Sequence, residues 1–311
     1  SKVRMNKSKC PVCGSRHTVK NGVRKGVQTY ICKDCGYQFR NSKLPSDLDL
    51  WKLDQENKQT VAELAASLGT SPSTIKRRLR NVVIKWSLPA LSGSGFVHID
   101  ATYWGRNCGV IVAQDSKTKQ ILYLSFIRHE RLSDYQDAVK SIEERGYKIN
   151  GIIIDGLQHL FSLFSAYKVQ MCQFHMKQIV RRYITLNPRL LSARALNVII
   201  NNLTTKSKDD FVREYKSWKE EWKDTLNKRS QLKNGKTRYR HRRLRAAMHS
   251  LDFYLPYLFT YQGEGCEGMP NTNNQLEGTF TDLKKNLNNH SGMSEENRKR
   301  FICGFFLAWR Q

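Results

Sequence analysis

The chain has 311 residues, 39% hydrophobic and 26% charged, which is long enough for one large core and one or two small modules. Its 53 Lys and Arg stand against 27 Asp and Glu, a formal charge of +26 that points to a polyanionic partner, because releasing phosphate counterions drives such binding. No apolar run approaches the roughly 20 residues that span a bilayer and no signal-peptide pattern opens the chain, so a soluble intracellular protein in the cytoplasm is expected.

Residues 8 to 40 form the first unit. Cys10-Pro-Val-Cys13 and Cys32-Lys-Asp-Cys35 are separated by eighteen residues, and each pair offers two thiolates from a tight knuckle. Gly14 and Gly36 follow the second cysteine of each pair, where a knuckle needs a permissive backbone. Two such pairs without a βαβ context favour metal over redox chemistry, and four thiolates close a tetrahedral site, so the expected ion is a structural Zn²⁺. Cys108, Cys172, Cys266 and Cys303 are scattered, which argues against a disulfide framework.

Residues 47 to 86 carry two or three helical patterns. Val61, Leu64, Ala65 and Leu68 make one amphipathic face, Gly69 turns the chain, and Ser71-Pro72 starts a second helix bearing Lys76, Arg77, Arg78 and Arg80. Helix, glycine turn and basic helix read as a helix-turn-helix able to enter a major groove. Ser87 to Gly95, with Pro89 and SGSG, reads as a linker.

From Phe96 the pattern changes to strands at 96–104, 108–114 and 120–127, a helix at about 132–145, a strand at 149–154, a helix at about 157–165 and a short strand at 168–172. Three successive strands and then alternating helix and strand predict a mixed α/β sheet. Asp100 lies within the first run, in FVHIDATYW, and Asp155 ends the fourth, in INGIIIDG. His98 and Trp104 read as packing residues and Tyr103 as a DNA neighbour. From 188 to about 260 leucines, tryptophans and charges recur at helical spacing, so an all-helical segment is expected, with Trp218, Trp222, Phe253 and Tyr254 in its core. Within it, residues 228 to 245 hold nine Lys or Arg and no acid, including Arg238, Arg240, Arg242, Arg243 and Arg245. Helix returns after Asn273, with Glu277 in NTNNQLEGTF, and continues through FICGFFLAW.

Asp100 and Asp155 on strands and Glu277 on a helix can converge, and in so basic a chain converging acids read as ligands for Mg²⁺ or Mn²⁺. Two such ions support in-line phosphoryl displacement, activating the attacking oxygen and stabilising the leaving one. Glu264 and Glu267 compete for the third place, from the glycine-rich turn GEGCEG.

HIDATYW, IIIDG, CQFH and NTNNQLEG, in this order, resemble the catalytic blocks of prokaryotic DDE transposases of the Mutator-like group of insertion sequences. CPVCGS with KNGVRKGVQTYICKDCGYQF resembles the N-terminal zinc ribbon of a variant branch of that group. The resemblance spans nearly the whole chain. It implies a zinc ribbon over 1–45, a helix-turn-helix over 46–90, an RNase H-like domain over 91–187, a helical insertion over 188–268 and a C-terminal catalytic part over 269–311.

The resemblance further implies that Asp100, Asp155 and Glu277 are the metal-binding triad for two Mg²⁺ or Mn²⁺ ions. The partners implied are double-stranded DNA, as terminal repeats and target, and further copies of the chain in a dimer or larger synapse at the bacterial nucleoid. Cys172 and His175 match the group's C-x2-H element. His175 has a structural role, a phosphate contact or a share in proton transfer, and Asn273 and Asn274 contact DNA or cap the helix. An RNase H-like nuclease that joins nothing and a non-catalytic DNA-binding regulator are the competing functions.

Overall fold

The computed structural model describes residues 9–24, 27–40, 45–56, 60–82, 90–289 and 292–308. Contacts divide the chain into two compact units, Ser1–Ser87 with Thr281–Gln311, and Leu88–Phe280.

In the first unit β1 (Thr18–Arg24), β2 (Val27–Cys32) and β3 (Gln38–Arg40) form an antiparallel sheet in that order. Cys10, Val12 and Cys32 are buried together beneath Tyr37 and Phe39. Three helices follow, α1 (Asp47–Glu56), α2 (Val61–Ser67) and α3 (Pro72–Asn81). Thr60 and Glu63 close a capping box on α2, and Ser71 caps α3 ahead of Pro72, so two orphan ends of short helices are satisfied by local chemistry. Leu50, Leu64, Ala65 and Ile75 bury against one another, and the expected Val61 and Leu68 flank them. Residues 87–89 of the predicted 87–95 linker and the helical pattern at 83–86 lie outside the described residues, and Ser94 and Gly95, expected in that linker, instead belong to a strand.

In the second unit the elements run β4 (Ser94–Gly105), β5 (Cys108–Asp115), β6 (Ile121–Ile127), α4 (Leu132–Glu144), β7 (Lys148–Ile154), α5 (Gln158–Leu163), β8 (Val169–Met171) and α6 (Gln173–Ile184). The strands build one mixed sheet in the order β6-β5-β4-β7-β8, antiparallel from β6 to β4 and parallel from β4 to β8. The mixed α/β expectation therefore holds. Ile152, Ile153 and Ile154 are all fully buried, as a parallel strand covered on both faces requires. α4 contributes Tyr135, Ala138, Val139 and Ile142, the i, i+3, i+4, i+7 face of a helix laid on the sheet.

The segment that follows contains α7 (Leu191–Asn201), α8 (Lys208–Glu221), α9 (Lys223–Asn227), β9 (Arg229–Gln231), β10 (Thr237–Tyr239) and α10 (Arg242–Leu258). The expected all-helical segment is thus interrupted by an antiparallel hairpin, in which Gln231 pairs with Thr237 and Arg229 with Tyr239. Its turn is set by Asn234-Gly235: the Gly235 N–H donates to the Leu232 carbonyl at 2.9 Å and Gly235 takes φ +75°. Trp218 and Tyr254 are core residues as expected, Trp222 is half-buried, and Phe253 remains 42% exposed.

The C-terminal part forms two helices, α11 (Asn274–Asn289) and α12 (Glu295–Ala308). The sequence places 269–311 together, whereas contacts group 281–311 with the N-terminal helices. Arg300 on α12 donates to the carbonyls of Arg80 at 3.2 Å and Leu79 at 3.5 Å, and the Trp51 ring lies so close to Gly304 that no Cβ fits there. Among the described residues no helix is long and apolar enough to cross a membrane.

Candidate functional site

Parallel pairing between β4 and β7 ends at His98↔Ile153, while β4 continues to pair with β5 as far as Gly105↔Cys108. Asp100 and Asp155 each lie two residues beyond that last parallel pair. Both carboxylates therefore emerge where neighbouring parallel strands part, the crevice in which open α/β sheets bind ligands. α6 starts directly after β8, and places Cys172 and His175 at the same end of the sheet.

Asp100 is only 7% exposed. Its Oδ1 accepts the Ala101 N–H at 2.8 Å and its Oδ2 accepts the Asn273 side-chain amide at 3.2 Å. Asp155 accepts the Leu157 N–H at 3.4 Å, and the Tyr254 hydroxyl donates to the Gly156 carbonyl, which fixes the turn that carries Asp155. Glu277, in the first turn of α11, lies with Oε1 3.2 Å from His175 Nε2.

The start of α6 forms a seat for the segment that leads into α11. Cys172 Sγ accepts the Asn273 N–H at 3.2 Å, Gln173 donates its N–H to the Asn271 carbonyl at 2.9 Å, and the Asn271 amide returns a bond to Gln173 Oε1 at 3.0 Å. Asn273 is fully buried, its side-chain amide donates to Asp100 and its Oδ1 bonds to no described residue, so it is not a side-chain cap. Asn274 is exposed at the first position of α11.

Burial pushes the Asp100 carboxyl well above the ordinary carboxylate range, and Asp155, Glu277 and Glu130 push it further. Burial also raises Asp155, and raises Glu277 with help from Asp155 and against His175. A buried group of carboxylates that repel one another, with a neutral-leaning imidazole beside it, is a donor set suited to a hard divalent cation.

Glu130 is the member the sequence did not reveal. The residue as a whole is exposed, but its carboxyl is partly desolvated where it accepts the buried Tyr135 hydroxyl, and that desolvation, with Asp155, raises it. With Asp155 and His175 it borders a cavity of about 500 Å³, where Arg182 and Tyr254 also lie. Glu264 and Glu267 stay exposed in their turn, where Glu267 accepts the Gly265 N–H at 3.2 Å. His98 is buried, as a packing residue should be, and burial lowers it to about 4. Trp104 packs edge-on against Phe126.

Two sets of ligand-type atoms converge to within 4.8 Å among the described residues: the four N-terminal cysteines, and Cys172 with His175 and Glu277. Asp100, Asp155 and Glu277 do not make a third set so tight. Carboxylates shared between ions about 3.5–4 Å apart need not approach as closely as ligands of one ion.

In the cysteine cluster Cys10 Sγ lies 3.6 Å from Cys35 Sγ, and Cys13 Sγ 3.6 Å from Cys32 Sγ. These separations are far too long for a disulfide and close to the roughly 3.8 Å edge of a tetrahedron built on 2.3 Å Zn–S bonds. The cluster fits a metal such as zinc. Gly14 donates to the Cys10 carbonyl and Gly36 to the Cys32 carbonyl, at 3.0 and 2.9 Å, and both glycines have φ near +70° (71° and 72°), so the two knuckles are near copies. Asp34 ties them together, accepting from Ser15 and lying 3.0 Å from His17 Nδ1.

The basic residues divide into free and engaged groups. Lys76, Arg77 and Arg80 are exposed on α3 and Arg238, Arg240 and Arg242 around β10 and the start of α10; none of these side chains makes a hydrogen bond or ion pair with another described residue. Arg78 instead pairs with buried Asp47 and donates to the Pro45 carbonyl. Arg243 donates to the Arg182 carbonyl at 2.6 Å, and Arg245 stacks over Tyr239 at 3.6 Å while donating to the Leu226 carbonyl. No family model matches the chain, and no curated protein matches it.

Proposed function

We propose that the chain is a DNA transposase of the DDE type, cutting the ends of an insertion sequence and joining the freed 3′-hydroxyls to target DNA. The observation that carries the reading is the emergence of Asp100 and Asp155 side by side beyond His98↔Ile153, with Glu277 coupled electrostatically to the same buried charge, in a chain of net charge +26. Mg²⁺ or Mn²⁺ held by these three residues supplies activation of the attacking oxygen and stabilisation of the leaving one.

The protein's own residues set that chemistry up. Asn273 and the Ala101 N–H aim the Asp100 carboxylate, and His175 aims Glu277. The cysteine cluster, as a zinc ribbon, and α3, as a recognition helix, read the terminal repeat, with Lys76, Arg77 and Arg80 as free cations. Arg238, Arg240 and Arg242 track backbone phosphates of flanking or target DNA. Two ends must be brought together, so the working form is a dimer or larger synapse.

The test is a cleavage and joining assay in Mg²⁺ on DNA carrying the sequences that flank the gene, comparing wild type with Glu277→Gln. The expected result is cut ends and joined product from the wild type only. Cleavage without joined product reassigns the chain as an RNase H-like nuclease, and a Glu277→Gln protein that cuts at full rate removes Glu277 from the reaction.

A further inference from the structure

We infer that Cys172, His175 and Glu277 form a second metal site, selective for a borderline-soft divalent cation such as Zn²⁺ and separate from the four-cysteine cluster. One ligand atom from each residue lies within 4.8 Å of the other two. His175 Nε2 and Glu277 Oε1 are 3.2 Å apart, near the roughly 3.3 Å edge of a tetrahedron with bonds of 2.0–2.1 Å.

The local fold explains why these groups meet. Cys172 is the residue before α6 and His175 sits in its first turn, three positions on, so both side chains face the same way. The seat formed by Gln173 and Asn271 then delivers α11 with Glu277 against them. The Asn273 N–H on Cys172 Sγ is an outer donor of the kind that steadies a metal thiolate.

Chemistry selects the ion. A thiolate, an imidazole and one carboxylate suit Zn²⁺, whereas Mg²⁺ prefers oxygen alone. A thiolate and a carboxylate also neutralise a divalent charge, which matters because Cys172 is fully buried. Three protein ligands would leave a fourth position for water, and His175 also borders the cavity that holds Asp155 and Glu130.

The consequence is competition for one side chain. Zn²⁺ bound here withdraws Glu277 from Asp100 and Asp155, so the site acts as an off-switch; that consequence rests on the proposed phosphoryl-transfer role, while binding itself does not.

The experiment titrates the full-length apo protein with Co²⁺ and follows thiolate-to-cobalt charge-transfer absorbance, to which ions held by oxygen ligands alone do not contribute. Wild type is expected to bind two thiolate-ligated ions per chain and Cys172→Ser one. His175→Gln, which keeps the sulfur, is expected to weaken the second ion by more than the roughly 10–100-fold that loss of an outer-shell partner costs. One thiolate-ligated ion per chain in wild type, unchanged in Cys172→Ser, overturns the site, as does a second ion indifferent to both substitutions. A chain that binds the second ion through Cys172 and cuts no DNA keeps the site and loses the transposase reading.

Discussion

Asn273 reaches across 173 positions of sequence to donate its side-chain amide to Asp100 at 3.2 Å, and both groups are buried. The same residue accepts the Glu277 N–H on its carbonyl and gives its own N–H to Cys172. One asparagine thus links the strand acid, the helix acid and the start of α6.

Asn273→Ala removes that donor and leaves a buried carboxyl oxygen unpaired, a change worth about 1–3 kcal/mol. Thermal melting is expected to fall accordingly, and cleavage in Mg²⁺ is expected to fall with it. Asn273→Asp sets another acid against Asp100 and is expected to melt lower still in metal-free buffer, with Mg²⁺ recovering part of the difference.

Asp100→Asn is expected to stabilise the Mg²⁺-free protein while abolishing cleavage. The folded-state carboxyl of Asp100 is raised well above its unfolded value near 4, so its contribution to stability is fully present below pH 4 and is lost as pH rises through the raised value. Asp155 and Glu277 are raised too and act with the same sign. Urea midpoints measured from pH 5 to 8, with the cysteine cluster left zinc-loaded, should show the advantage of Asp100→Asn over wild type widening as pH rises, a difference in which His98, whose pKa is lowered and acts with the opposite sign, cancels.

Glu130→Gln is expected to behave similarly but more weakly: a rise of about 1 kcal/mol or less in Mg²⁺-free stability, because its residue is more exposed than Asp100, together with weaker Mg²⁺ binding. Isothermal titration with Mg²⁺ checks the second part. An unchanged affinity would separate Glu130 from the metal site.

Asp100 and Asp155 were legible because each sits in a β-branched run whose burial the sequence announces, and the cysteine cluster because ligand spacing is local. Glu277 was legible as part of a helical pattern. Glu130 was not, since RHERLSD looks like any polar turn and its place beside Asp155 depends on how the chain turns after β6. Asn273 carried only a cap signal, because its partner is supplied by a distant strand. The hairpin at 229–239 was missed although Asn234-Gly235 marks it; it lies inside the run 228–245 with its nine basic residues, which masked an alternation only three residues long on each side. The engagement of Arg78 was hidden for the same reason as that of Asn273: Asp47, its partner, lies on another helix.

Stripping zinc from the cysteine cluster is expected to unfold the β1–β3 sheet, whose only buried apolar neighbours among the described residues are Cys10, Val12 and Cys32 with partial cover from Tyr37 and Phe39. Structural zinc in small modules contributes about 10–16 kcal/mol of apparent binding energy, more than so small a core can replace. Cys13→Ser should reproduce the unfolding. Amide hydrogen exchange in β1–β3 should rise to the unprotected limit while β4–β8, which has its own core, keeps its protection.

Lys76, Arg77 and Arg78 are neighbours on α3, yet they should fail in different ways. Lys76 and Arg77 are exposed without a partner among the described residues, so replacing either with Ala is expected to leave melting unchanged and to reduce the slope of log affinity against log salt by about 0.9 for each phosphate that is no longer neutralised. Arg78 is 15% exposed and holds Asp47, which is 3% exposed. Arg78→Ala strands that carboxylate in the interior, at a cost of about 3–5 kcal/mol, and leaves the salt slope as it was where the protein remains folded. Arg78→Ala with Asp47→Asn should recover much of the stability, because the unpaired charge is gone. A salt slope reduced by Arg78→Ala as much as by Arg77→Ala would mean that Arg78 leaves Asp47 for a phosphate when DNA binds.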